Sequence, residues 1–123
     1  MESIYTKKTE DTPEITLDKE KGIFSITGNS YPDDPVEVYK PAVDWLKEYV
    51  KSPNDQTIFD LQFSYMNTSS SKQVVDMMSI LEEIPSDKEV IVNWHYDKMD
   101  EDMEFEGETL QSTVNVKIEL IGF

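Results

Sequence analysis

Thr57-Ile58-Phe59-Asp60-Leu61-Gln62-Phe63-Ser64-Tyr65 runs through Met66 into Asn67-Thr68-Ser69-Ser70-Ser71-Lys72, and then into Gln73 to Ile84. This succession decides the fold. Phe59, Leu61, Phe63 and Tyr65 alternate with less apolar neighbours, which predicts a strand carrying all four on one face. Val74, Met77, Met78 and Leu81 recur at helical spacing, with Ile84 near the end, which predicts a helix. A run of hydroxyl residues, Thr68 to Ser71, therefore sits where a strand hands over to a helix. Such a junction offers unpaired backbone N–H groups and the positive end of the helix dipole. A phosphate carried there would meet donors already aimed at it.

The local expectation is that Ser70 caps the helix and Gln73 completes an S-x-x-Q capping box. One cap needs one hydroxyl, which leaves Thr68, Ser69 and Ser71. Phosphorylation of one of these would add about −1.5 to −2 charges at a helix start. The stretch is a candidate phospho-acceptor site on a small signalling protein.

Upstream, Ile15 and Leu17 alternate with polar residues, Asp18 to Gly22 forms a turn, and Phe24 and Ile26 share a face. These predict a β-hairpin. Gly28-Asn29-Ser30-Tyr31-Pro32-Asp33-Asp34-Pro35 is a loop dense in breakers, suited equally to a rigid lead-in and to a contact surface. Asp34 before Pro35 suits a helix start. Tyr39, Ala42, Val43, Leu46 and Val50 follow helical spacing, and Pro41 predicts a short turn first, with the main helix from Pro41 to Lys51.

Downstream, Glu89 to Tyr96 is a nearly continuous apolar run, which predicts a central strand covered on both faces, with His95 buried in it. Asp97 to Glu108 is the most acidic window, with Met99, Met103 and Leu110 giving part of it a helical face. Val114, Val116, Ile118 and Leu120 alternate as a last strand. Trp45 and Trp94 fit either a core or a contact role. The order β-β-α-β-α-β-(α)-β predicts an α/β domain, a mixed, partly parallel sheet with helices packed on it. Residues 1–11 are expected to be flexible or an ill-fixed edge, and residues 12–123 to form the domain.

Composition narrows the function. Lys and Arg number 11 against 26 Asp and Glu, a net charge of −15, which would repel nucleic-acid backbones. No apolar run spans a bilayer and no signal-peptide pattern opens the chain, so a cytoplasmic location away from membranes is expected. With no cysteine, disulfides, thiolate metal sites and cysteine nucleophiles are excluded. Asp100, Asp102 and Glu104 imitate the first ligands of a calcium loop. However, Phe105 stands where that loop needs Gly, and Gln111 where it needs Glu. His95 has no G-x-S-x-G partner, and no phosphate-binding glycine loop is present. No catalytic residue, cofactor or metal is expected.

Several stretches resemble the SiaC family of regulatory phosphoproteins. They are Thr12-Pro13-Glu14-Ile15, Gly28 to Pro35, Tyr39-Lys40-Pro41-Ala42-Val43-Asp44-Trp45-Leu46, Tyr65 to Lys72, and Asp97 to Glu108 with its Asp100-Glu101-Asp102-Met103 core. The resemblance runs in order from about Thr12 to the C-terminus. It implies a STAS-like fold, as in anti-sigma-factor antagonists, and a bacterial partner-switching role. It further implies phosphorylation by a serine/threonine kinase of the histidine-kinase-like ATPase type, reversed by a PPM-type phosphatase. The family's modified threonine falls on Thr68, and Asn67, Thr68, Ser69, Ser70, Ser71 and Lys72 become the expected docking surface. The unphosphorylated form is expected to bind and activate a diguanylate cyclase, promoting cyclic di-GMP signalling, aggregation and biofilm. The alternative is an anti-sigma-factor antagonist that controls transcription through a kinase partner.

Overall fold

A computed structural model describes residues 1–123 and contains six strands and three helices. In chain order these are β1 (Ile4–Thr6), β2 (Glu14–Asp18), β3 (Ile23–Ser30), α1 (Pro35–Tyr49), β4 (Gln56–Met66), α2 (Thr68–Leu81), β5 (Glu89–Tyr96), α3 (Glu101–Thr113) and β6 (Lys117–Gly122). The sheet order is β1-β2-β3-β4-β5-β6. β1, β2 and β3 are antiparallel neighbours, and β3 to β6 run parallel. The fold is the expected α/β layer with a mixed sheet.

Each parallel step moves one strand further in the same direction. Right-handed crossovers then place α1, α2 and α3 on the same face of the sheet. Phe24, Ile26, Phe59, Leu61, Val92 and Trp94 point at the helices and are buried. The other face stays open. This corrects the two-sided expectation for β5, whose Ile91, Asn93 and His95 lie half-buried on that face. His95 is not in the core: its Nε2 lies 2.9 Å from Asp60 Oδ1, which also accepts from Asn93 Nδ2 at 3.1 Å.

β4 departs from simple alternation at its end. Gly28 pairs with Phe63 but Asn29 pairs with Tyr65, so Ser64 is an extra residue in a β-bulge. Gly28 has φ +128°, a backbone conformation that L side chains rarely adopt. The bulge reverses the facing of the last two residues of the strand: Met66 is buried, and Tyr65, expected beside Phe63, is exposed.

α1 starts at Pro35, with Asp34 Oδ1 accepting from the Glu37 N–H at 3.1 Å. It runs unbroken through Pro41 rather than starting there. Glu37 and Pro41 both lie on the solvent side, so water can hydrate the carbonyl that the proline leaves without a donor. The opposite side buries Tyr39, Ala42, Trp45, Leu46 and Tyr49. Trp45 stacks on Tyr49 with ring centroids 5.2 Å apart, and Trp94 is also buried, so both tryptophans are core residues. Trp45 Nε1 donates to the Glu2 carbonyl at 2.7 Å, which fastens the N-terminal segment beside its edge strand β1. No helix is long and apolar enough to cross a membrane.

Candidate functional site

The parallel strands all end on one side of the molecule, where α2 and α3 begin. Met66 closes β4 and Asn67 caps α2, its Oδ1 accepting from the Ser70 N–H at 2.9 Å. The capping residue is therefore Asn67, not Ser70. The strand ends at Met66, as expected, but the helix starts earlier than the S-x-x-Q pattern suggested, which puts Thr68 at the first helical position.

The hydroxyl run divides by helical geometry. Thr68, Ser69 and Lys72 are exposed, whereas Asn67 and Ser71 are half-buried. Ser70 is fully buried. Ser70 Oγ accepts from Ser30 Oγ at 2.8 Å, and Ser30 Oγ lies 2.6 Å from the Tyr39 hydroxyl. These three hydroxyls tie the ends of β3, α1 and α2 together in the core. Burial pushes the Tyr39 hydroxyl up to about 12, with the Ser30 hydrogen bond pulling the other way, so it stays protonated at neutral pH. Ser70 therefore belongs to the scaffold of the expected docking surface, not to its exposed part.

Ser71 also turns inward. Its Oγ lies 3.1 Å from Glu106 Oε2 on α3 and 3.2 Å from the Asn67 carbonyl. The Ser70 N–H is taken by the cap and that of Ser71 by the Asn67 carbonyl. The N–H groups of Thr68 and Ser69 have no acceptor within the protein. Thr68 and Ser69 are thus exposed hydroxyls beside two free donors at the positive end of the dipole, with Thr68 at the first helical position.

α3 sits against this site because of Gly107. A Cβ there would stand 2.5 Å from Trp94 Cδ1, so only glycine lets the helix approach so closely. Trp94 Nε1 donates to the Met103 carbonyl at 2.9 Å, one turn earlier. The acids of this window have a structural use: Asp100 Oδ1 caps α3 through the Met103 N–H, and Glu101, Asp102 and Glu104 occupy its positive first turn. Met99, expected on the apolar face, lies before the helix and is exposed. No cluster of acidic or histidine side chains converges as a metal site.

Between α2 and α3 lies a groove of about 220 Å³, with Thr68 and Lys72 at its lip and Glu106 in its wall. Beside it, Tyr31 and Tyr65 form an edge-to-face pair with centroids 5.7 Å apart, and both are exposed, as is Phe105. The Tyr31 loop is accordingly part of the surface around Thr68. Glu106, Gly107 and Ser30 escaped the sequence reading. The one signal for them was a lone glycine inside an acidic helix.

The family described as "SiaC family regulatory phosphoprotein" matches residues 6–123. An uncharacterized protein of Pseudomonas aeruginosa (strain UCBPP-PA14) is 32% identical over 102 residues, covering 82% of this chain and 81% of the relative. The crystal structure of apo-SiaC from Pseudomonas aeruginosa is similar with a TM-score of 0.88 at 26% identity, covering 98% of this chain and 99% of that one. A chain in the crystal structure of the diguanylate cyclase SiaD in complex with its activator SiaC, from the same organism, matches with the same TM-score, identity and coverage.

Proposed function

The chain belongs to the SiaC family of regulatory phosphoproteins, and on that premise we propose that it is a phospho-switch centred on Thr68. As a family member it is a regulator, not a catalyst. In this reading a serine/threonine kinase of the histidine-kinase-like ATPase type modifies Thr68, and a PPM-type phosphatase restores it. The unphosphorylated form binds and activates a diguanylate cyclase. The observation that carries the reading is the exposed Thr68 hydroxyl at the first position of α2, beside two unpartnered N–H groups and the lip of the groove.

The chemistry favours a switch that acts on the partner. The chain contains no arginine, so no guanidinium is available to clamp a phosphate internally. Lys72, four residues on and on the same side of the helix, is the cation placed to meet it. Glu106 and the acids of α3 add like charge nearby. An effector fitted to a neutral hydroxyl would have to bury a dianion that one lysine only partly neutralises, which is costly. Phosphorylation then releases the effector without refolding the domain. The complex of the SiaC relative with a cyclase supports this reading over an anti-sigma-factor antagonist.

The test is phosphopeptide mapping of the protein from its own cells, with and without the kinase, followed by binding of the cognate cyclase. Kinase-dependent phosphate on Thr68, tight binding by Thr68→Ala and weak binding by Thr68→Glu are expected. Phosphate confined to Ser69 or Ser71, or equal binding by both variants, overturns the assignment.

A further inference from the structure

We propose that the groove between α2 and α3 is a socket for one apolar side chain of the effector, and that a lysine or arginine of the same effector segment pairs with Glu106. This rests on the Thr68 switch described above and names what the switch guards.

Size argues for a side chain. The groove holds about 220 Å³, below the roughly 300 Å³ at which pockets for small molecules begin. Its apolar lining comes from Met66, Val74, Val75, Trp94 and Leu110. A well-packed pocket of this kind beside a polar rim is where interface anchors insert.

Charge argues for a basic neighbour. Glu106 is half-buried in the wall, and its hydrogen-bond partner is the Ser71 hydroxyl. None of the ion pairs in the protein includes it, although Lys72 lines the same groove. Covering the groove with a neutral segment would strip water from this carboxylate and leave it unpaired, at a cost in affinity. A cation in the segment removes that cost, and the net charge of −15 draws such a segment in. Thr68 stands at the lip, so a phosphate there meets the incoming segment at the point of insertion.

Two variants test this with the cognate diguanylate cyclase, measured by calorimetry at low and high salt. Glu106→Gln keeps the shape and the Ser71 hydrogen bond but removes the charge. We expect binding to fall at least about tenfold with a weaker salt dependence. Thr109→Phe fills the groove from the exposed side of α3. Its binding should fall similarly, with the salt dependence kept. Thermal melts close to wild type confirm that both fold. Binding within twofold of wild type for both, while Thr68→Glu still abolishes it, overturns the socket and leaves the switch standing. If only one variant weakens binding, the half of the proposal tied to the other is overturned. A wild-type protein that does not bind the cyclase overturns the switch and this inference with it.

Discussion

Ser30 Oγ lies 2.8 Å from Ser70 Oγ inside the core, while Thr68, two positions before Ser70 on the same helix, is exposed. One hydroxyl run therefore contains a surface residue and a scaffold residue, and acidic substitutions should separate them. Ser70→Ala should cost about 1 kcal/mol, the worth of one hydrogen bond, because Ser30 keeps Tyr39 as a partner. Ser70→Asp buries an unpaired charge and should cost about 3–5 kcal/mol. Denaturant melts of both, beside wild type, measure the difference.

Tyr39 gives the same network a pH signature. Its folded value of about 12 lies above the ordinary 10.0, so the folded state holds the proton more tightly. The associated stability is fully present below pH 10 and is lost as pH rises towards 12. Its size is about 3 kcal/mol. Urea melts from pH 8 upward should show wild type losing stability faster than Tyr39→Phe. Parallel curves would show that burial at Tyr39 has no such effect.

Gly107 opposes two rules. Alanine is normally the better helix residue by about 0.8–1 kcal/mol, which predicts that Gly107→Ala stabilises α3. The contact with Trp94 predicts the reverse, since the new methyl has no room and overpacking costs about 1–3 kcal/mol. We expect net destabilisation and a shift in Trp94 fluorescence as its bond to the Met103 carbonyl lengthens. A raised Tm would show that α3 can move away without loss.

How legible these features were depended on the range of the interactions behind them. Periodicity located the β2–β3 hairpin, β4, α2 and the strand-to-helix position of Thr68, because each rests on local alternation or helical spacing. Ser70 was misassigned because its partner, Ser30, lies 40 residues upstream and nothing in the hydroxyl run itself records that contact. Tyr65 was misplaced because the Ser64 bulge reverses facing without disturbing the visible pattern, an aromatic fitting either side. β5 looked two-sided because Ile91 suits a half-covered face as well as a core. That all three helices share one face follows from strand order, which composition does not encode. The groove escaped for a similar reason: Glu106 is one acid among many until Gly107 brings α3 against α2.

Thr68→Glu is the variant in which stability and binding should part. At the first position of α2 a carboxylate meets the positive end of the dipole and the free N–H groups of Thr68 and Ser69. This should stabilise the domain by about 0.3–1 kcal/mol, raising Tm by roughly 1–4 °C. Lys72, at i+4, adds a small favourable pairing. Added salt should diminish the gain, as it does for any exposed charge. Affinity for the cyclase should meanwhile fall steeply, because the same carboxylate is desolvated under the partner and the single nearby cation, Lys72, offsets only a small part of that cost. A protein that melts higher yet binds worse localises the switch to the interface. A fall in both would mean that the charge acts by loosening the start of α2, and Asn67→Ala, which removes the cap at a cost of about 1 kcal/mol, should then weaken cyclase binding as well.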